Sequence, residues 1–387
     1  SLPGEELRRG DLRNKNHYLT GTAMKIVDVK LGMLRVPLVT PFKTALRTVD
    51  AVEDVVVMLE TDTGHIGYGN APATAVITGD THGSVIEAVR TVFTPLLLGQ
   101  SVADLNRLTR QIQGAMINNT SAKAAVEIAL YDLFAQSYKT PLYRILGGGE
   151  SSLTTDITIS VDYIDKMVAD AESAVERGFE ILKLKVGKDI GLDIERIKAV
   201  YAAVKGRALL RLDANQGWSP KQAVLAIRGL EDAGVLLELV EQPVKANNLE
   251  GMHYISERVK TPIMADESIF GPHEVMDIIQ RRAADIINIK LMKTGGISNA
   301  LKIADLAGLY DVECMVGCML ETSIGVSAAA HMAAAKAPVV SKLDLDVPSL
   351  CNFDPVVGGA TYKDADIILN ETPGLGIEHI EGLQLLA

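Results

Sequence analysis

The stretch Ile181-Leu182-Lys183-Leu184-Lys185-Val186 places two lysines two residues apart inside an apolar run. In a β-strand the side chains alternate between two faces, so Lys183 and Lys185 project to one side while Leu184 and Val186 project to the other. One interpretation is an amphipathic edge strand with both lysines in water, because edge strands often carry lysines. The other is a buried strand, in which neighbouring ammonium groups repel each other and need carboxylates close by. The rest of the chain supplies such carboxylates at matching positions.

Strand-like apolar runs recur after residue 150 and alternate with helical stretches such as 164–177 and 220–233. This alternation is typical of βαβ units that form a parallel sheet. The predicted strands are 154–161, 181–186, 208–214, 236–241, 262–267, 285–291, 312–317 and 342–346. Eight strands in about 195 residues predict a closed (β/α) barrel. An open doubly wound sheet is the alternative, although no glycine fingerprint follows the first strand.

Polar residues stand at the carboxyl ends of these strands. Lys185, Asp213, Glu241, Asp266 and Lys290 end the second to the sixth strand, at steps of 28, 28, 25 and 24 residues. Each step is about one βα unit, so every one of these residues returns to the same rim of the barrel. That rim carries the active site in barrel enzymes.

The residue types at this rim indicate a chemistry. Asp213, Glu241 and Asp266 are three hard oxygen donors that suit Mg²⁺, whereas Ca²⁺ would need more ligands. The alternative is that each acid pairs with a nearby lysine and binds nothing. Lys185 and Lys290 lie on opposite sides of the three acids, as epimerisation of a carbon acid requires. A lysine near a dication and a second ammonium group has its charged form disfavoured, which helps it act as a base.

Composition limits the classes of partner. The 387-residue chain has 38 basic and 49 acidic residues, and its net charge of -11 argues against binding to nucleic acid or to an anionic membrane surface. Three cysteines form no disulfide framework, which favours a cytoplasmic protein. No apolar run is long enough to span a bilayer.

The part of the chain before the barrel has a different pattern. Residues 1–23 are polar, lack the apolar core of a signal peptide, and are predicted to be an extension outside the fold. Strand-like runs with a hairpin signal at 62–65 follow up to about residue 70, and helical periodicity continues to 147, with its best helix at 121–138. Three glycines at 147–149 predict a domain boundary.

The motifs Lys183-Leu-Lys185, Asp213-Ala-Asn215, Glu241-Gln-Pro, Asp266-Glu-Ser and Asn288-Ile-Lys290 resemble the enolase superfamily, in its muconate-lactonizing subgroup, over residues 24–387. The resemblance implies a modified TIM barrel, (β/α)₇β, at 150–350. It implies an α+β capping domain at 24–149, to which a C-terminal segment, 351–387, returns. It also implies one Mg²⁺ per site, with Mn²⁺ as a substitute, bound by Asp213, Glu241 and Asp266 with Asn215 in support. Sites of this superfamily use Lys or His bases with one or two Mg²⁺ ions.

Two features resemble the dipeptide epimerases within this family. Asp344 and Asp346 end the eighth strand, and the resemblance implies that they hold the substrate α-ammonium, a role that suits two acids on one strand face. Arg47 in the loop 41–48 would pair with the glutamate side chain of Ala-Glu, although without the resemblance a surface arginine is the favoured interpretation. Lys185 and Lys290 would be the two bases. The further substrate contacts that the resemblance implies are Thr158, Lys183, Cys318 and Leu320.

Two positions depart from the family pattern, and other functions stay open. Asn70 stands where close relatives carry glutamate, and Cys318 where relatives carry serine. The alternatives are a cycloisomerase, an o-succinylbenzoate synthase or an N-acylamino acid racemase of the same subgroup, a non-enzymatic member, and a Schiff-base aldolase using Lys185. A homo-oligomer is expected from the fold alone.

Overall fold

The computed structural model describes residues 23–44, 46–187 and 189–387. The predicted extension at 1–23 therefore falls, except for residue 23, outside the described residues.

An antiparallel sheet forms the N-terminal capping domain. Its strands are β1 (Ile26–Lys43), β2 (Thr48–Thr61) and β3 (Ile66–Pro72). β2 and β3 form a hairpin around the predicted turn at 62–65, where Gly64 adopts a φ of 79° that favours glycine.

Helical segments follow this sheet along the chain. They are α1 (His82–Glu87), a π-helical turn (Ala88–Phe93), α2 (Thr94–Leu97), a 3₁₀ turn (Val102–Asp104), α3 (Leu105–Gly114), α4 (Thr120–Ser137) and α5 (Leu142–Ile145). The predicted helix at 121–138 is α4, whose backbone packs directly on β3 because Gly67 and Gly69 have no Cβ to separate them.

Eight parallel strands form the barrel, as predicted. After a short strand, β4 (Ser152–Thr154), they are β5 (Ile157–Ile159), β6 (Ile181–Lys185), β7 (Leu209–Asp213), β8 (Leu237–Glu241), β9 (Ile263–Ala265), β10 (Ile286–Lys290), β11 (Glu313–Gly317) and β12 (Val340–Asp344). Each strand from β5 to β12 pairs with its neighbour in chain order, so the doubly wound alternative is wrong. β6 pairs with strands on both sides, and the edge-strand interpretation of Lys183 and Lys185 is therefore also wrong.

The barrel helices follow the strands. They are α6 (Ile164–Glu176), α7 (Ile190–Val204), α8 (Pro220–Asp232), α9 (Leu249–Ser256), α10 (Pro272–Arg281), α11 (Leu291–Thr294), α12 (Ile297–Leu309), α13 (Ser323–Ala335) and α14 (Val347–Leu350). None of the described helices is long and apolar enough to cross a membrane.

The barrel closes between β5 and β12 through side chains. The Leu345 amide donates to Thr155 Oγ1 at 2.8 Å, and the Thr158 amide donates to Asp346 Oδ2 at 2.6 Å. The predicted strand at 154–161 is accordingly divided: β4 ends at Thr154, and Thr155 and Asp156 turn their side chains to this seam and to the barrel interior before β5 begins.

The C-terminal segment contains five short strands. They are β13 (Val356–Gly358), β14 (Thr361–Lys363), β15 (Asp366–Ile368), β16 (Ile377–Ile380) and β17 (Gln384–Leu385). β15 pairs with β4, and β17 pairs with β1 of the cap sheet.

Candidate active site

One cavity of about 60 Å³ opens at the carboxyl ends of the barrel strands, beneath the cap. The site residues predicted from the sequence that line it are Arg47, Thr158, Lys183, Lys185, Asn215, Lys290, Cys318, Leu320, Asp344 and Asp346. The three predicted metal ligands, Asp213, Glu241 and Asp266, are buried directly below and touch the lysines. The structure thus brings the whole predicted set to one place.

Strand register places the charged residues in rows around the ring. Lys185 pairs with Asp213, which pairs with Glu241, at the ends of β6, β7 and β8. Lys185 Nζ lies 2.5 Å from Asp213 Oδ2. Across the ring, Lys290 Nζ lies 2.9 Å from Asp266 Oδ2 and 3.9 Å from Glu241 Oε1. The two lysines therefore flank the acids from opposite sides.

Lys183 lies at the centre of the cluster. Its ammonium group is 2.6 Å from Glu241 Oε2, 2.6 Å from Asp344 Oδ2 and 3.2 Å from Asp213 Oδ2. Burial opposes its charge, but these carboxylates outweigh burial and raise the pKa of Lys183 well above its ordinary value.

The charges of neighbouring groups decide in which direction the pKa of each of the other buried titratable groups described below is shifted. Burial opposes the ionisation of Asp213 and Asp266, but adjacent lysines hold the pKa of both carboxyl groups below the ordinary range. Burial, together with Asp213, raises the pKa of Glu241 to about 7. Burial lowers the pKa of Lys290, but Asp266 and Glu241 outweigh it, so that among the protein groups alone the pKa of Lys290 is raised. The site therefore stabilises charge in some carboxyl groups and protons in others.

A second acidic cluster lies on the other side of Lys183. Among the described residues, the three carboxylates whose oxygens lie within 4.8 Å of one another are Asp156, Asp344 and Asp346, not the predicted metal triad. Each already has a strong partner: Arg211 Nη1 is 2.7 Å from Asp156, Lys183 holds Asp344, and the Thr158 amide holds Asp346. A cluster compensated in this way is better suited to a single ammonium group than to a dication.

Among the residues that the structure describes, the predicted triad retains two buried carboxylate oxygens without a hydrogen-bond partner, whereas the second acidic cluster retains one, Asp156 Oδ1. Glu241 Oε2 and Asp266 Oδ1 are buried and in ion-pair contact with lysines, yet neither receives a well-directed hydrogen bond. Buried carboxylate oxygens normally have such partners, so these two atoms fit a metal ion that replaces the ammonium contacts. Asp213, Glu241 and Asp266 together offer the oxygen donors that Mg²⁺ prefers.

Three residues beside the triad carry no role in the sequence-based prediction. Asn288 Nδ2 donates to Glu241 Oε1 at 2.8 Å, and Lys293 Nζ lies 2.5 Å from Asp266 Oδ1. Glu267 accepts a hydrogen bond from Asn215 Nδ2 at 3.3 Å, and burial beside Asp266 raises its pKa to about 8. Strand alternation could have found Asn288, which is two residues before Lys290 and therefore on the same face.

The cap supplies the roof of the cavity. Phe42 at the end of β1 lies with its ring centroid 5.7 Å from Lys185 Nζ. Arg47 is half-buried, and burial lowers the pKa of its guanidinium group, with no compensating carboxylate among the described residues. Such a guanidinium group is available to a carboxylate on a ligand.

The two positions predicted to depart from the family pattern, Asn70 and Cys318, both lie on or beside the loop that follows β11. The Cys318 thiol lies 3.4 Å from the Asp344 carbonyl oxygen, and its side chain lines the cavity. Asn70 does not line the cavity. It lies at the junction of cap and barrel, where it contacts Asp54 and Glu321.

A parallel barrel under an antiparallel cap, with lysines on both sides of a buried carboxylate cluster, defines a class of barrel enzymes that move protons at a carbon acid. The chain belongs to the mandelate racemase/muconate lactonizing enzyme family of the enolase superfamily. Residues 26–147 match the family model described as the N-terminal domain of mandelate racemase/muconate lactonizing enzyme, and residues 166–382 match the enolase C-terminal domain-like model.

Several proteins that are similar to this chain are named epimerases. An L-Ala-D/L-Glu epimerase from Clostridium acetobutylicum is 50% identical over 92% of this chain and 99% of its own length. The substrate-liganded structure of the L-Ala-D/L-Glu epimerase from Bacillus subtilis has a TM-score of 0.91 at 49% identity, over 92% of this chain and 99% of that one. A dipeptide epimerase from Enterococcus faecalis, solved with Mg and the dipeptide L-Leu-L-Tyr, has a TM-score of 0.89 at 40% identity, over 92% of this chain and 100% of that one.

Proposed function

We propose that the protein is a Mg²⁺-dependent dipeptide epimerase that interconverts L-Ala-L-Glu and L-Ala-D-Glu. The observation that carries this proposal is the pair Lys185 and Lys290, which line one cavity from opposite sides of the ring. The similarity to L-Ala-D/L-Glu epimerases supports the reaction, and the half-buried Arg47 supports an acidic C-terminal residue.

The charged groups of the cavity give each end of the dipeptide a partner. Asp344 and Asp346 would bind the α-ammonium of the first residue, because two acids at the end of β12 line that side of the cavity. Arg47 would bind the side-chain carboxylate of the second residue. Thr158, Cys318 and Leu320 would contact the peptide between them.

The lysines would transfer the proton. In one direction the neutral amine of Lys185 removes the α-proton of the glutamate residue, the C–H electron pair passes into the carboxylate to form an enolate, and the Lys290 ammonium returns a proton to the opposite face. The reverse reaction exchanges the two roles. Lys183 would bind the substrate carboxylate and tune Lys185, from which it is separated by one residue on the same strand face.

Asp213, Glu241 and Asp266 would hold the metal, with Asn215 in support. When bound, Mg²⁺, or Mn²⁺ in its place, supplies a Lewis acid that stabilises negative charge on the substrate carboxylate. Engaging these carboxylates with a dication would also remove the attraction that raises the pKa of Lys290.

The experiment is deuterium exchange at the α-carbon with a library of dipeptides and N-acylamino acids in D₂O, in the presence of Mg²⁺. We expect exchange with inversion for L-Ala-L-Glu and L-Ala-D-Glu, and none for N-acylamino acids, which lack the ammonium group that Asp344 and Asp346 would bind. Exchange of N-acylamino acids but not of dipeptides would contradict the proposal and favour an N-acylamino acid racemase.

We also propose that the protein is a cytoplasmic homo-oligomer. Leu225 on α8 and Leu309 on α12 are 74% and 81% exposed on the outside of the barrel, where a second copy could cover them. The three free cysteines fit a reducing compartment.

A further inference from the structure

A buried polar cluster lies where the cap meets the rim of the barrel. It consists of Asp54 on β2, Asn70 on β3 and Glu321 in the loop after β11, and their side chains are almost completely buried. Asn70 Nδ2 donates to Asp54 Oδ2 at 2.7 Å and to Glu321 Oε2 at 3.4 Å. One amide group therefore serves two carboxyl groups, one from the cap and one from the barrel.

The same two carboxyl groups hold the backbone of residues 318–322, here called the rim loop. The Thr322 amide donates to Asp54 Oδ2 at 2.8 Å, and the Met319 amide donates to Glu321 Oε1 at 3.0 Å. Three successive residues of the rim loop line the substrate cavity: Cys318, Met319 and Leu320. The cluster thus fixes a wall of the cavity without touching the lysines or the metal ligands.

The cluster is tightly enclosed and needs a hydrogen-bond donor. A Cβ added to Gly325 of α13 would collide with Glu321 Oε2 and with Asn70 Oδ1, so the helix backbone packs directly on the two side chains. Burial raises the pKa of Asp54 to about 6 and that of Glu321 to about 8, while hydrogen bonds from Asn70 oppose both shifts. The amide therefore relieves repulsion that two enclosed carboxyl groups would otherwise feel.

We propose that Asn70 is a positioning residue that clasps the cap to the rim loop and thereby sets the shape of the substrate cavity. Leu320 of the rim loop and Arg47 of the cap line both this cavity and an adjoining one of about 80 Å³. The clasp accordingly fixes the distance between the rim loop and the cap loop 41–48. These two loops would enclose the C-terminal residue of the dipeptide. This last step rests on the proposed function.

The test begins with Asn70→Asp, which keeps the shape of the side chain and removes the amide donor. At pH 8.5 the three carboxyl groups are ionised to a greater extent than at pH 6 and repel one another. We expect KM for L-Ala-L-Glu relative to wild type to rise there on the order of tenfold, the effect of one unsatisfied buried polar group, with a smaller change in kcat. At pH 6 a shared proton replaces the amide hydrogen, and the ratio should return to within about threefold of one.

Comparing the variant with wild type at each pH isolates the effect of the side chain at position 70, because the neighbouring titratable groups are the same in both proteins. The charged and titratable groups that face the two acids are Lys290, His82, Cys318, Cys351 and Tyr362.

Two further variants separate positioning from general damage. The double variant Asn70→Asp/Glu321→Gln restores one amide and two carboxyl groups, and should recover wild-type KM at pH 8.5. The matched control is Asp132→Asn, which removes a buried cap carboxylate that binds the amides of Tyr68 and Leu375 but lies outside the cluster. Its KM relative to wild type should be the same at pH 6 and at pH 8.5.

Hydrogen exchange of the amides of Met319 and Thr322 provides a readout that needs no substrate. Faster exchange in Asn70→Asp at pH 8.5 than at pH 6, relative to wild type and reversed in the double variant, supports the clasp even if the dipeptide is not turned over. Equal exchange in wild type and Asn70→Asp at both pH values overturns it. Loss of dipeptide turnover in wild type, by contrast, overturns only the proposed function.

Discussion

Arg47 is the residue on which the proposed substrate preference depends. Arg47→Ala should lower kcat/KM for L-Ala-L-Glu by about ten- to a hundredfold, because one charge-assisted hydrogen bond to a ligand contributes roughly 1.5–3 kcal/mol. The value for L-Ala-L-Leu should change little. Arg35→Ala is the control, since Arg35 also lies on the cap but pairs with Glu53 at the surface. Equal losses on both dipeptides would show that Arg47 is structural.

Lys185 and Lys290 should be separable by isotope exchange. Removing either lysine should abolish epimerisation in both directions, because each turnover needs one to remove the proton and the other to return it. We expect from the family resemblance that Lys185 serves the S isomer and Lys290 the R isomer, so Lys290→Ala should still exchange deuterium into L-Ala-L-Glu, and Lys185→Ala into L-Ala-D-Glu, without inversion. Loss of a general base costs roughly 10²–10⁴-fold, so the two activities should be resolved by mass spectrometry with chiral analysis.

The control for this pair is Lys183→Ala. Lys183 contacts Asp213, Glu241 and Asp344 at the centre of the cluster, so its loss should weaken both directions together. If both base variants lose exchange with both isomers, the two-base assignment is wrong.

At the scale of single residues, the sequence predicted the positions of those site residues that the spacing of the strands determines. Lys185, Asp213 and Glu241 end successive strands, and their register pairing follows directly from that. The contacts of Asn70 could not be predicted in this way. Its partner Glu321 is 251 residues away, and only the docking of cap on barrel brings the two side chains together.

At the scale of elements, the metal would join the ends of β7 and β8 to the loop after β9. We expect saturating Mg²⁺ or Mn²⁺ to raise Tm, since a ligand at about a hundred times its Kd stabilises the folded state by about 2.7 kcal/mol. Exhaustive chelation should abolish both this shift and α-proton exchange. Asp266→Asn should lose the shift in Tm.

Asp156→Asn is the matched control for the metal, because Asp156 belongs to the second acidic cluster. It should retain the Mg²⁺-dependent shift in Tm although it weakens the contact with Arg211. Full turnover after chelation would show that the reaction needs no metal. Loss of the shift in Tm only in Asp156→Asn would show that the metal binds at the second acidic cluster.

The strands of the barrel were predictable from alternation, but the seam between β5 and β12 was not. An apolar pattern does not reveal that Thr155 satisfies the Leu345 amide or that Asp346 satisfies the Thr158 amide. For the same reason the predicted first strand was too long. Thr155 faces Leu345, which lies 190 residues further along the chain, and Asp156 faces Arg211 in the barrel interior.

At the scale of the whole molecule, α4 joins the cap to the barrel. The sequence predicted this helix from its apolar periodicity, whereas the structure buries the helix almost all round, including Glu127 and Asp132. Glu127 binds Gln113 within the cap and both the amide and the hydroxyl group of Ser298 on α12. A helix between two domains needs polar residues on the face that meets the second domain, and periodicity alone cannot say which ones.

Glu127 should make the stability of the molecule depend on pH. Burial raises its pKa to about 7, against the opposing hydrogen bonds from Gln113 and Ser298. The folded state therefore binds more protons than the unfolded state between the two pKa values. The contribution of Glu127 to the unfolding free energy is fully present below about pH 4.5 and is lost as pH rises through about 7. Glu127→Gln imitates the protonated side chain, so from pH 4.5 to 8 it should gain up to about 3 kcal/mol in unfolding free energy relative to wild type. Urea unfolding at constant Mg²⁺ measures this difference, and Glu195→Gln, at an exposed position on α7, should follow the wild-type curve.

Parallel pH curves for wild type and Glu127→Gln would mean that Glu127 is ionised in the folded protein throughout and that the junction of the two domains tolerates a buried charge.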